Sequence, residues 1–529
     1  MSPILKTAAF LFIFLYLLPF MTALCCMFPV LRHVCFFGMM YFTSNEYSLN
    51  FYPMPTWRGT ARGYAFTLVS LFAVPLFVSM CFSTKYKVRL FPPGSFFYLL
   101  YFLAILLSGM NAIHMQQWGF EVYKMFWMYI TFLAAFNYLT NSKNLEIFVY
   151  SLCFILIFLF LFGLKQKYLD GRYQIRSTFP HQNSLVLYLE LFGLLALGIL
   201  MNERLKKLLF VLVIFAFCGS TLLVVFSFSR GGLVIYFGGV AIVGALSILF
   251  NGFSFRRLIL MVIGLFVLLS VVGYALPSII LRFTKASGAS KLTRVNLAIA
   301  SKRIADDYRL GVGANNYSEY SGLKYEYAIE QNNRDSFYAR TGNWEGSGRG
   351  GIVETIYLLV AAECGWWGLV TLVLWFLYYY LSLIISMFVL RKKPCSGFVI
   401  GLFGGLTCVY WHSTLEWSLK QYNNFAQQMI LYALIGTIAV HRKSIKKAWK
   451  RIHAEMELAK LEKKRKKKRG GSILYSSVAA VPAPVVAGNA LPDEIEDMEG
   501  GLSGEVAPLG GIGAPALPEA DPSFEDPPQ

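Results

Sequence analysis

Charge is what this chain has least of. Asp, Glu, Lys and Arg supply 15% of its 529 residues, against roughly a quarter in a soluble domain. That is too little polar side chain to clothe a water-facing shell, so an ordinary soluble globule is excluded. No CxxC pair occurs among the nine cysteines, which argues against a zinc ribbon or a disulfide framework. Cys25, Cys26, Cys35, Cys81, Cys153, Cys218, Cys364, Cys395 and Cys408 all lie in or beside apolar runs and read as small core residues. No His/Cys/Asp/Glu grouping has metal-ligand spacing, so neither a metal nor any other cofactor is expected. No serine-nucleophile motif occurs. Gly311-Val312-Gly313 lacks the strand and the Lys-Ser/Thr of a nucleotide loop. No internal repeat is visible, which weakens a transporter built from duplicated halves.

What is abundant is apolar sequence. Hydrophobic residues make up 56% of the chain, and its mean hydropathy is +0.54. Runs near 20 residues recur, each long enough to cross a hydrocarbon core of roughly 30 Å as a helix. They are continuous rather than alternating, so helices are expected and not a barrel. The expected fold is an all-α, polytopic membrane protein with about twelve spans, near 8–31, 64–82, 95–111, 125–140, 147–164, 183–201, 208–226, 232–250, 258–278, 369–390, 397–411 and 423–440. The segment 32–43, interrupted by Arg32 and His33, fits neither a span nor a plain loop. Lys6 precedes an apolar run too long for a signal peptide, so the first run reads as a span.

The net charge of +19 is concentrated. Residues 441–469 carry 14 Lys and Arg against three Glu, more than half of that excess. This basic segment reads as a cytosolic helix attracted to anionic membrane lipids rather than as a nucleic-acid face. Residues 470–529, rich in Ala, Pro, Gly and acids, read as a disordered cytosolic tail. With twelve spans, the clusters at Lys85–Arg89, Arg204–Lys207, Arg256–Arg257 and Arg391–Lys393 fall on the side of that tail, which the positive-inside bias makes cytoplasmic. The organisation expected is a transmembrane unit over 1–440, with a long outward loop at 279–368 before the tenth span. That loop holds eleven Lys and Arg, against the usual bias. It is either a solvated domain or the partner of an anionic ligand.

Five outward elements can carry chemistry. In RYQIRSTFPHQNS, Arg172, Arg176, His181 and Asn183 sit where a loop meets a span, and an arginine fork suits phosphate oxygens. In SFSRGG, Arg230 follows Ser229, a candidate helix cap, and precedes two glycines. From Arg294 an amphipathic helix is expected, with Val295, Ile299 and Ile304 on its apolar face and Lys302, Arg303 and Asp306 polar, ending at Gly311. In ETIYLLVAAECGWWG, Glu354 and Glu363 are carboxylates near a desolvated boundary, where a raised pKa suits a general base. In WHSTLEWSLKQY, His412 and Glu416 are spaced to share a helical face, with Lys420 beyond. Each also has a plain reading as an interfacial anchor, cap or local polar pair.

Taken in order, RSTFPHQNS, SFSRGG, the Arg294 helix with RLGVGANNY, and ETIYLLVAAECGWWG resemble the O-antigen ligase and polymerase family of bacterial envelopes, over roughly residues 170–440. The resemblance implies a GT-C-like glycosyltransferase in the bacterial inner membrane, with a cytoplasmic C-terminus. Such enzymes take a glycan from a polyprenyl diphosphate at the outer face and pass it to another glycan or to lipid A core, without nucleotide sugar or metal. It further implies that Arg176, Arg230 and Arg294 stabilise the leaving diphosphate, and that Glu354 deprotonates the acceptor. His181, Asn183, Arg172, His412 and Glu416 would contact substrate. The ligase pattern has His, then Asn, Ser or Gln, nine residues and Gly. Here Glu354-Thr355 precedes Gly365, which favours a polymerase or another exopolysaccharide transfer over a ligase. Trp344, Trp366 and Trp367 can stack on sugars, although an interfacial belt is the default. A transporter or flippase of lipid-linked saccharides is the alternative expectation. A non-catalytic assembly protein docking through its tails is a third.

Overall fold

The computed structural model describes residues 3–45, 47–262, 264, 273, 288–321 and 351–469. The described residues are mostly helical, 76% helix and 2% strand. Among the described residues six helices are long and apolar enough to cross a membrane, and three shorter apolar helices of 10–17 residues accompany them. Most of the expected ninth span at 258–278, the loop residues 322–350 with Trp344, and the tail at 470–529 lie outside the described residues.

The first apolar run is one continuous span, Leu5–Met27, as expected. Helices α1 (Pro3–Phe12) and α2 (Leu18–Met27) continue into each other through a π-helical segment, and α3 (Val30–Phe42) follows as a separate helix packed mainly on the later helix at Leu68–Cys81. Arg32 and His33, the residues that made 32–43 ambiguous, are hydrogen-bonded to neighbouring helices of the bundle. Arg32 is buried and donates to the Ser79 carbonyl and the Ser83 hydroxyl while covering the Tyr86 ring. His33 Nδ1 lies 2.7 Å from the Tyr138 hydroxyl. A short antiparallel ribbon follows, β1 (Ser48–Asn50) on β2 (Ala65–Thr67).

The bundle then alternates direction through α4 (Leu68–Cys81), α5 (Ser95–Ser108), α6 (Met115–Leu139), α7 (Lys143–Leu164), α8 (Gln182–Asn202), α9 (Lys207–Phe226) and α10 (Arg230–Asn251). Helix α11 (Gly288–Asp307) and the single turn α12 (Tyr317–Tyr320) precede α13 (Ile356–Val389), α14 (Ser396–His412) and α15 (Tyr422–Arg469). α8 is its axis, buried from Ser184 to Met201, and packs along α14, α10 and α9. The expected span 423–440 and the basic segment 441–469 form one continuous helix, α15.

The two ends of the bundle differ. At one end Arg256 donates to the Leu200 and Glu203 carbonyls, Arg391 to the Phe250 carbonyl, and Glu203 accepts the Gly397 and Cys395 amides. The basic clusters gather there. Burial pushes the Glu203 carboxyl up to about 7. At the other end the ribbon, α11 and the starts of α8, α10 and α13 converge.

α11 exists as expected, with Ile304 buried and Lys302, Arg303 and Asp306 exposed, but the rest of its inward face differs from the expected one. Leu297, Ala300, Ser301 and Ile304 are buried, whereas Val295 and Ile299 are exposed. Three-and-four spacing alone allows either stripe, and the packing of α11 on α13 selects one. α13 breaks at Gly365, whose φ of +71° is left-handed. The segment 309–316 inserts at this break. Val312 N donates to the Ala362 carbonyl and Gly313 N to the Glu363 carbonyl. A Cβ on Gly365 would lie 2.1 Å from the Arg309 carbonyl oxygen, and one on Gly311 2.4 Å from the Cys364 amide. The glycines of RLGVGANN thus serve a backbone-to-backbone contact that no larger residue permits.

Candidate functional site

His181 precedes α8 in extended backbone and caps it, its Nδ1 accepting the Asn183 amide at 3.2 Å. An accepting nitrogen is unprotonated, which agrees with a pKa pushed down by burial and then by Arg176. Asn183 is a two-sided link. Its Nδ2 donates to Glu416 Oε1, and its Oδ1 accepts from Ser229 Oγ at 3.0 Å. SFSRGG therefore supports the site through Ser229. Glu354 stands two residues before α13. That approach is fixed by the Ile356 amide and the Thr355 hydroxyl, both on the Ser413 carbonyl at 3.1 and 3.3 Å. Glu416 follows α14 in the same turn, so one strap of backbone bonds sets both carboxylates. Arg294, from α11, forms an ion pair with Glu354.

These groups line one cavity of about 580 Å³. Its wall comprises Arg58, Arg62, His181, Gln182, Asn183, Arg294, Ile352, Glu354, Glu416 and Trp417. Burial first, and then the neighbouring charge of Glu354, push the Glu416 carboxyl up to about 7. His412, Arg294 and Asn183 oppose that rise. The cavity thus contains a carboxyl that changes charge near neutrality beside one locked to a guanidinium, an arrangement able to take up a proton and to hold an anion. Among the described residues no group of three or more His, Cys, Asp or Glu is placed to hold a metal ion.

Of the residues singled out from sequence, His181, Asn183, Arg294, Glu354 and Glu416 come together. The others lie elsewhere. Arg176 is exposed and outside the lining, donating to the Pro180 carbonyl at 2.8 Å. Arg172 is exposed and outside the lining. Arg230 opens α10 half-buried, one residue beyond Ser229, and is not on the cavity wall. His412 does not share a face with Glu416. It ends α14 with its ring turned inward, Nδ1 2.9 Å from Glu190 Oε1, both buried. Trp366 donates to Asp306 at 2.9 Å, and Trp367 is exposed.

Sequence reasoning passed over Arg58 and Arg62. The signal available was PTWRGTARG, two arginines among small residues in an outward connection. It also passed over a sealed charge cluster inside the bundle. Lys124 Nζ lies 2.6 Å from Glu121, and Lys420 Nζ 2.7 Å from Glu363 and 3.6 Å from Glu121. Lys124 also donates to the Lys420 carbonyl at 2.9 Å. All four side chains are at most 4% exposed. Neither protein-family models nor curated proteins match this chain.

Proposed function

We propose that this chain is a membrane glycosyltransferase of the O-antigen ligase and polymerase type, working at the outer face of a bacterial inner membrane with its C-terminus cytoplasmic. In this reading about twelve segments cross the bilayer in a GT-C-like arrangement. The donor is a polyprenyl-diphosphate-linked glycan and the acceptor another glycan or lipid A core. The observation that carries the reading is the single cavity in which Arg294 pairs with Glu354 beside Glu416, His181 and Asn183. The motif residues from four separated stretches of sequence converge there.

The chemistry follows from those groups. The acceptor hydroxyl oxygen attacks the anomeric carbon as the bond from that carbon to the diphosphate oxygen breaks. The hydroxyl proton passes to Glu354. Negative charge grows on the leaving diphosphate, and a guanidinium aimed at it stabilises the transition state more than the ground state. Glu416 provides a second carboxylate for the proton above about pH 7. Arg294 holds the Glu354 carboxylate in place on the cavity wall.

Glycan profiling of a knockout rescued by wild type, Glu354→Gln or Arg294→Ala tests this. Lipid-linked single repeats accumulate if the chain is a polymerase, and full-length lipid-linked chains if it is a ligase. Full rescue by both variants defeats the assignment.

One observation favours the rival reading of a transporter or flippase. The break at Gly365 lies beside the sealed charges of Glu121, Lys124, Glu363 and Lys420, and broken helices with buried charge are features of transport sites. Transfer measured in detergent separates the two, because without a sealed compartment only a transferase gives a product.

A further inference from the structure

Three arginines reach the cavity, and they are not equivalent. Arg294 is matched by Glu354. Arg58 and Arg62 make no side-chain hydrogen bond or ion pair among the described residues, yet both line the wall and are exposed.

Their loop is held rigidly although their side chains are not. Asn315, in left-handed backbone, accepts the Ala61 amide on Oδ1 at 3.2 Å and donates through Nδ2 to the Ala61 carbonyl at 2.9 Å. The buried Trp57 indole donates to the Asn315 carbonyl at 3.2 Å. Thr60 donates to buried Glu121 at 2.8 Å. The Arg62 carbonyl accepts the Met54 amide at 2.8 Å and the Asn50 side chain at 3.2 Å. A Cβ on Gly59, between the arginines, would lie 2.0 Å from Asn315 Oδ1. The loop is anchored this closely while its two guanidinium groups have no partner among the described residues, so a fixed backbone presents two cations to the cavity. Charge left uncompensated in a walled space favours an anion. The lining is cationic, with three arginines against two carboxyls, Glu354 and Glu416.

We infer that Arg58 and Arg62 form the subsite for a phosphate-class anion, separate from the Arg294–Glu354 pair. Resting on the transferase reading, this anion is the diphosphate of the lipid-linked donor. An anionic phospholipid headgroup offers the same chemistry from a different source. The two arginines position the donor, and Glu354 and Glu416 face the acceptor.

The test uses full-length protein in nanodiscs of neutral lipid, with geranylgeranyl diphosphate and inorganic pyrophosphate as probes and Trp417 fluorescence as the readout. Wild type is expected to bind both. Arg58→Ala/Arg62→Ala is expected to weaken both roughly a hundredfold, about tenfold for each guanidinium removed. Arg58→Lys/Arg62→Lys, which keeps the charge but loses the fork, is expected to recover part of it. Glu354→Gln is expected to leave probe binding within about threefold of wild type. Nanodiscs containing phosphatidylglycerol distinguish the sources. If the headgroup is the ligand, that lipid displaces the probes and the double alanine variant abolishes the displacement. Unchanged binding by the double alanine variant overturns the subsite even if transfer activity is present. Arginine-dependent pyrophosphate binding without any transfer activity upholds the subsite and removes the transferase reading.

Discussion

Two groups of charges lie either side of the insertion at residues 309–316, and their surroundings are opposite. Glu121, Lys124, Glu363 and Lys420 are sealed, balanced two against two, and nearly devoid of exposure. Arg58, Arg62, Arg294, Glu354 and Glu416 line an open cavity and are not balanced. Buried charges persist only when paired, because desolvation costs several kcal/mol per ion. Charges at a water-filled cavity are solvated and need no partner, so sequence there is free to serve a ligand. Full pairing therefore marks the inner group as part of the scaffold, and incomplete pairing marks the outer group as a binding surface. Thr60 links the two, running from the arginine loop to Glu121.

The strongest way to break this comparison is to unbalance the sealed group. Lys420→Met strands Glu363 and half of Glu121, and should destabilise the protein by about 3–5 kcal/mol. Thermal unfolding in detergent measures it, and Lys420→Met with Glu363→Leu should regain much of the loss. A Lys420→Met protein as stable as wild type would show that the cluster is not scaffold. In the outer group the pattern reverses. Glu354→Gln should leave the unfolding temperature nearly unchanged, since its ion pair is solvated, while lowering transfer roughly a hundredfold or more. Equal loss of stability and activity would erase the distinction.

Gly365→Ala probes the boundary between the groups. The left-handed backbone and the Arg309 carbonyl in the path of a Cβ should cost about 1–3 kcal/mol. Loss of expression with wild-type specific activity in the surviving fraction would place its effect in folding alone. The smallest effect is a slope in pH. Because burial raises the Glu416 carboxyl from its ordinary 4.5 to about 7, the folded state holds that proton more tightly than the unfolded chain. The stability this group contributes is present at low pH and declines as pH rises from 4.5 to about 7. Solvent access at the cavity limits the change to about 1–2 kcal/mol. Glu416→Gln should flatten unfolding temperature against pH in that window. If ionised Glu416 also takes the acceptor proton, wild-type transfer falls below about pH 7 and the variant loses that inflection.

Much of the bundle was legible before any coordinates. The helices at 147–164, 183–201, 208–226 and 232–250 lie within a few residues of α7 to α10, because a continuous apolar run in lipid has only the helix to satisfy its backbone. Residues 30–42 were not legible, because Arg32 and His33 look like interruptions until Ser79, Ser83 and Tyr138 are brought to them. Glu363 reads alone as an interfacial carboxylate. Its partner Lys420 is 57 residues away, beyond any local spacing rule.

The site divides the same way. Sequence by itself determined that the chain is helical and apolar, where most helices begin and end, and which polar residues stand at helix boundaries, since each of these depends on composition and neighbours within a few turns. Only the tertiary structure decided that Arg294 meets Glu354, that His412 turns to Glu190 instead of Glu416, that Asn315 pins the loop of Arg58 and Arg62, and that Arg230 stands off the cavity wall. Those outcomes depend on distances between segments up to 258 residues apart, which are set by how helices pack and carry no signature in any one stretch of chain.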